Sequence, residues 1–167
     1  ASTRNEGDRS RRASTGNEGD RVDPRLRGLG VIALTRRYEF SAAHILAHPD
    51  LSAEENDRIY GKCANPEGHG HNAALEVTVT GPIDPKSGRL VDREALDGPV
   101  QSRVLDRLTP GLLNDDPAFG PNVPTAENIA IVVHDELEKP IAALGARLVR
   151  IRLHETARNH FVYGELA

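Results

Sequence analysis

Residues 61–80 read GKCANPEGHGHNAALEVTVT, and the second half of that stretch decides the fold. From Asn72 to Thr80 the residues alternate, with Leu75, Val77 and Val79 on one face of an extended chain and Glu76, Thr78 and Thr80 on the other. A period of two marks a strand with one face against a core. Upstream, Val31 to Phe40 is β-rich and gives a first strand, ended by Phe40-Ser41-Ala42-Ala43-His44. Downstream, Gly81 to Gly88 is dense turn chemistry. Asp92 then caps a helix whose apolar positions Leu96, Val100, Val104, Leu105 and Leu108 fall at helical spacing, with Gly98-Pro99 predicting a kink or a late start. Asp115 to Val123 reads as a loop. Thr125 caps a second helix through Ile129, Val133 and Leu137, expected to stop before Pro140. Arg147 to His154 alternates again, and Phe161 to Tyr163 offers a last short strand. The order strand, strand, helix, helix, strand, strand predicts an α+β domain, an antiparallel four-stranded sheet with two helices on one face.

Residues 1–21 carry no large apolar side chain and repeat themselves: Ala1–Arg9 returns, with small changes, as Ala13–Arg21. Such a segment cannot repay its ordering entropy and is read as disordered, with Val22–Gly30 as a linker. The expected division is therefore a tail and linker over residues 1–30 and one folded domain over residues 31–167. The chain contains no Met, which is read as a processed, truncated or incompletely recorded start. A net charge of −4 argues against a nucleic-acid surface. No long apolar run is present, so no membrane span is expected, and no secretory signal opens the chain, so a cytoplasmic location is expected. One Cys excludes an internal disulfide framework.

That single Cys stands against seven His, and the chemistry gathers between His44 and His71. His69 and His71 lie two apart, so on a strand both rings share a face. His44, at the end of the first strand, is a third candidate. Three neutral imidazoles with one open position are the ligand pattern of a catalytic Zn2+. A bare His-Gly-His is also compatible with a chance turn bearing solvated histidines; Cys63, six residues earlier, shifts the balance. Beside Lys62 and a dication its thiol can ionise and act as base or nucleophile. A buried inert thiol and a fourth metal ligand are the other two readings.

FSAAH, LSAEEN, YGKCANPEGHGHN, GPIDPKSGRLVD, PTAENIA and LHET, in that order, resemble the 6-pyruvoyltetrahydropterin synthase family, which includes the 6-carboxytetrahydropterin synthases of the queuosine pathway. The resemblance spans nearly all of residues 34–165. It implies the tunnelling fold, or T-fold, whose subunits assemble into a barrel-shaped homo-oligomer, a hexamer or tetramer, with active sites between subunits. It implies that His44, His69 and His71 bind Zn2+, that Cys63 is catalytic, and that Glu155 anchors the pterin ring. Thr125 and Glu127 match a second substrate-contacting segment, and they also read as an ordinary helix start. The implied reaction acts on 7,8-dihydroneopterin triphosphate, a small-molecule partner, and yields 6-pyruvoyltetrahydropterin or 6-carboxytetrahydropterin. The five-residue gap between Cys63 and His69 resembles the pyruvoyl type.

The chain departs from the family in two places. Thr109-Pro110 stands where the family carries an Asp-His pair that helps the cysteine move protons, and Ala73 stands for a Tyr. Three outcomes follow: another residue (His48, His134, His154 or His160) fills the role, the enzyme is slow, or the reaction differs. His154, adjacent to Glu155, is the best-placed substitute and also reads as a plain strand-end histidine. A zinc- and pterin-binding protein with lost or altered catalysis is the alternative reading of the whole chain.

Overall fold

A computed structural model describes residues 31–109 and 111–166; the readings made on the tail and on Pro110 lie outside them. Strand β1 (Ala33–His44) pairs antiparallel with β2 (His69–Thr80), which pairs with β3 (Arg147–His154), which pairs with β4 (His160–Gly164). The sheet order is β1-β2-β3-β4. Register follows from the alternation: Leu34 faces Val79, Tyr38 faces Leu75, and the pairing runs on to His44 against His69. Strand β2 thus begins at the His-Gly-His run, earlier than its alternating segment.

Leu75, Val77, Val79, Ile151 and Leu153 are buried on one face of the sheet. Two helices cover that face. Helix α2 (Arg93–Val100) starts at Asp92, whose carboxylate accepts from the Glu94 and Ala95 amides. Pro99 sits in its last turn, and the expected kink takes the form of a π turn over Gln101–Leu105 followed by a short α3 (Asp106–Leu108). All five apolar positions expected to face the core are buried.

Helix α4 (Ala126–Ala143) corrects one expectation: it runs through Pro140. Leu137 and Ile141 are one turn apart and both fully buried. Burying a side chain such as Ile141 contributes about 1.5–3 kcal/mol, comparable to the ~3 kcal/mol penalty of an interior Pro. Packing therefore carries the helix one turn past its local stop signal.

Another helix was not read from the sequence. Helix α1 (Ala53–Tyr60) opens with a capping box: Ser52 Oγ accepts from the Glu55 amide, and Glu55 Oε2 accepts from the Ser52 amide. Only Asn56 among its residues is buried, so it shows no apolar period.

No helix among the described residues covers the opposite face of the sheet. There Glu76 meets Arg37, Arg152 and His154. Thr78 and Thr80, read as the polar side of β2, are nonetheless buried, Thr78 bonding to Thr35 and Thr80 to the Ile32 carbonyl. No helix among the described residues is long and apolar enough to cross a membrane.

Candidate metal centre and adjoining cleft

The antiparallel register of β1 and β2 assembles the site. His44 lies directly opposite His69, and His71 lies opposite Ala42, one row along. All three project from the helix-covered face, at the end of the sheet. Gly68 makes the entry to β2 possible: its φ is +72°, and a Cβ there would sit 3.3 Å from Ile45 and 3.4 Å from the His44 carbonyl.

The ligand nitrogens of the three rings all lie within 4.8 Å of one another. His44 Nε2 is 3.1 Å from His69 Nε2. His44 Nδ1 lies 2.8 Å from the Pro124 carbonyl, which can only accept. The proton is therefore on Nδ1, and the Nε2 lone pair faces the other two rings. His69 Nδ1 and both nitrogens of His71 are buried without a hydrogen-bond partner. Buried polar atoms are nearly always paired, and one nitrogen from each ring converging in this way fits the coordination of a cation. His44 is only 1% exposed. Burial, then the fields of His69 and His71, hold its pKa below the usual histidine range, against the opposing Pro124 carbonyl. The neutral, ligating form is the favoured one.

Cys63 sits half-buried on the 3₁₀ turn Gly61–Ala64. Its carbonyl accepts from the Leu46 amide at 2.9 Å, which ties the turn to the chain just beyond His44. Its thiol stands outside the histidine group. Three such ligands would leave a fourth position of a tetrahedral ion open.

Glu155 follows β3 and lines a cleft of about 650 Å³ with Arg37, Ser41, Asn72, Ala73, Ala74 and His154. Arg37, Ser41, Asn72, Ala74 and His154 belong to the face of the sheet opposite the histidine group, and none of His44, His69 and His71 lines the cleft. Thr125 caps α4, its Oγ accepting from the Asn128 amide at 3.4 Å, and Glu127 is exposed in the first turn. Neither lines that cleft. The sequence reading missed Pro124, just before the cap, which orients the His44 ring through its carbonyl. A backbone contact between residues 80 apart leaves no sequence signal.

Thr109 is exposed at the end of α3. Of the candidate substitutes for the Asp-His pair, His154 lies on the helix-free face, opposite to the side from which His71 projects. Its Nε2 is 3.0 Å from Glu76 Oε1, and its ring is 5.5 Å from that of His160. His48 Nδ1 accepts from the Asp50 amide. His134 packs edge-on against Tyr163. None of the four joins the metal-binding group.

The comparisons with known proteins agree with one another. The sequence profile of the family described as 6-pyruvoyl tetrahydropterin synthase matches residues 33–165. A 6-pyruvoyl tetrahydrobiopterin synthase of Poecilia reticulata is 43% identical over 132 residues, 78% of this chain and 88% of that protein. The Homo sapiens protein of the same name is 39% identical over 131 residues, 78% of this chain and 89% of its own length. The structure of Caenorhabditis elegans 6-pyruvoyl tetrahydropterin synthase superposes with a TM-score of 0.74 at 34% identity, covering 81% of this chain and 96% of that one.

Proposed function

The chain belongs to the 6-pyruvoyl tetrahydropterin synthase family, a family of lyase-type enzymes with this T-fold, and from that premise we propose that it converts 7,8-dihydroneopterin triphosphate to 6-pyruvoyltetrahydropterin at a zinc site formed by His44, His69 and His71. The observation that carries the reading is the convergence of three imidazoles, with Nδ1 of His69 and both nitrogens of His71 buried and unpartnered. Bound there, zinc supplies Lewis acidity to the hydroxyls of the substrate side chain and makes the attached C–H and O–H protons easier to remove.

The remaining roles belong to the chain's own residues. Cys63, on the turn tied to the His44 strand end, takes and returns the side-chain proton as thiolate and thiol. Glu155 accepts two N–H donors from the aminopyrimidine edge, fixing the ring in the cleft that it lines. Thr125 and Glu127 belong to this reading as further substrate contacts. The pyruvoyl product is favoured over the 6-carboxy product of the queuosine branch by the names of the relatives and by the Cys63-to-His69 spacing. Assembly as a homo-oligomer and a cytoplasmic location complete the proposal.

The test is release of inorganic triphosphate from 7,8-dihydroneopterin triphosphate by zinc-loaded protein. Zinc-dependent release that falls at least 100-fold in Cys63→Ala is expected, the scale of a lost proton-transfer group. Pterin binding with no triphosphate release overturns the synthase reading and leaves a binding protein.

A further inference from the structure

We infer that Asn114 is a positioning residue for His44, holding the strand end from which that ring reaches the metal site. The inference rests on the zinc reading above. It is carried by a contact that neither strand pairing nor helix packing explains.

Strand β1 ends at His44, and its outer edge there is met by the loop after α3. Ala43 and Leu112 form an isolated parallel bridge. Two residues further along each chain the carboxamide of Asn114 takes the place of a peptide group. Its Oδ1 accepts from the Ile45 amide at 2.8 Å, and its Nδ2 donates to the Ile45 carbonyl at 2.9 Å. One donor and one acceptor on each side fix which end of the amide is oxygen. The residues on both sides of His44 are thereby pinned, Ala43 by the bridge and Ile45 by the carboxamide. The ring itself is held by the Pro124 carbonyl.

The loop that carries Asn114 is anchored in turn. Leu113 is 2% exposed, and Asp116 is bound by Arg107. The Leu112 side chain lies over Gly68, at the entry to His69. Asn114 itself is exposed, yet its amide is turned inward onto Ile45. A carboxamide at this position acts on backbone alone, so it sets where His44 sits without touching metal or substrate. Residues beyond the ligands that orient them typically change metal affinity by 10–100-fold when removed.

The experiment uses the full chain and measures zinc affinity by chelator competition, the visible spectrum of the cobalt-substituted protein, and thermal stability without metal. Asn114→Ala is expected to weaken zinc binding about 10-fold or more and to alter the cobalt spectrum. Asn114→Asp keeps the acceptor for the Ile45 amide but sets a carboxylate oxygen against the Ile45 carbonyl, and is expected to weaken zinc binding as Asn114→Ala does. A core variant matched in melting temperature, Val133→Ala on α4, is expected to leave zinc affinity unchanged. Unchanged zinc affinity and cobalt spectrum in Asn114→Ala, with only the melting temperature lowered, overturns the positioning role and makes the contact a loop staple. Failure of the wild-type chain to bind zinc overturns the metal reading and this inference with it.

Discussion

Asp116→Asn probes the joint that holds the loop beside the histidine group. The Asp116 side chain is 8% exposed and accepts from Arg107 Nε at 2.6 Å and Arg107 Nη2 at 2.7 Å. It also accepts from the Ala118 amide at 2.9 Å. An Asn keeps one acceptor for the guanidinium and turns an NH₂ group toward the other N–H. Breaking a fully buried ion pair costs about 3–5 kcal/mol. Arg107 is 30% exposed and keeps Glu136 at 2.8 Å, so the full figure does not apply. One charge-assisted hydrogen bond lost gives about 2 kcal/mol. For a domain of this size that is a fall in melting temperature of roughly 6–10 °C. The pH dependence has a definite sign. The Arg107 guanidinium holds the Asp116 carboxyl below the usual carboxylate range. A group with a depressed folded pKa contributes stability above its unfolded value, 3.8 here, and loses it as pH falls through the folded value. The gap between wild type and variant should be full at pH 7 and close progressively below about pH 4. Calorimetric melts of both proteins across that range measure it. A gap under about 2 °C at pH 7, or one that stays constant on acidification, refutes the reasoning.

Three further outcomes are expected. His69→Ala should lower bound zinc per chain well below that of wild type in elemental analysis while the domain still melts cooperatively, because the ring is only half-buried. Glu155→Gln should raise KM for the pterin substrate by roughly 10–100-fold, the loss of one charge-assisted pair of hydrogen bonds, with bound zinc unchanged. Ile141→Ala, in the turn of α4 beyond Pro140, should cost about 2–5 kcal/mol in urea unfolding if packing of that turn is what overrides the proline.

Much of the fold was readable because β2 and β3 alternate and because Asp92 and Thr125 are good helix caps. Where the reading failed, tertiary packing had outweighed a local signal. Pro140 is a stop signal along the chain, but Ile141 has a place in the core. Helix α1 carries a capping box without an apolar stripe, so periodicity alone passes over it. Thr78 and Thr80 look like the solvent side of a strand, and hydrogen bonds to Thr35 and Ile32 let them be buried. The histidine group was legible because two ligands share one strand and the third ends its neighbour. Pro124 and Asn114 were not, because each acts at the end of β1 across about 70–80 residues of chain, Pro124 through its own backbone carbonyl and Asn114 through a carboxamide on the backbone of Ile45. His154 looked well placed beside Glu155 in the sequence. In the sheet it sits with Glu76, on the face opposite the one that carries His69 and His71.

As proposed, the three histidines, Cys63 and Glu155 together carry out the synthase reaction without the Asp-His pair that the family resemblance implies. Mass spectrometry of the product formed from 7,8-dihydroneopterin triphosphate by the zinc-loaded chain tests it most directly. The expected product is 6-pyruvoyltetrahydropterin, formed only with metal present. Recovery of unchanged substrate, or of 6-carboxytetrahydropterin in its place, contradicts it.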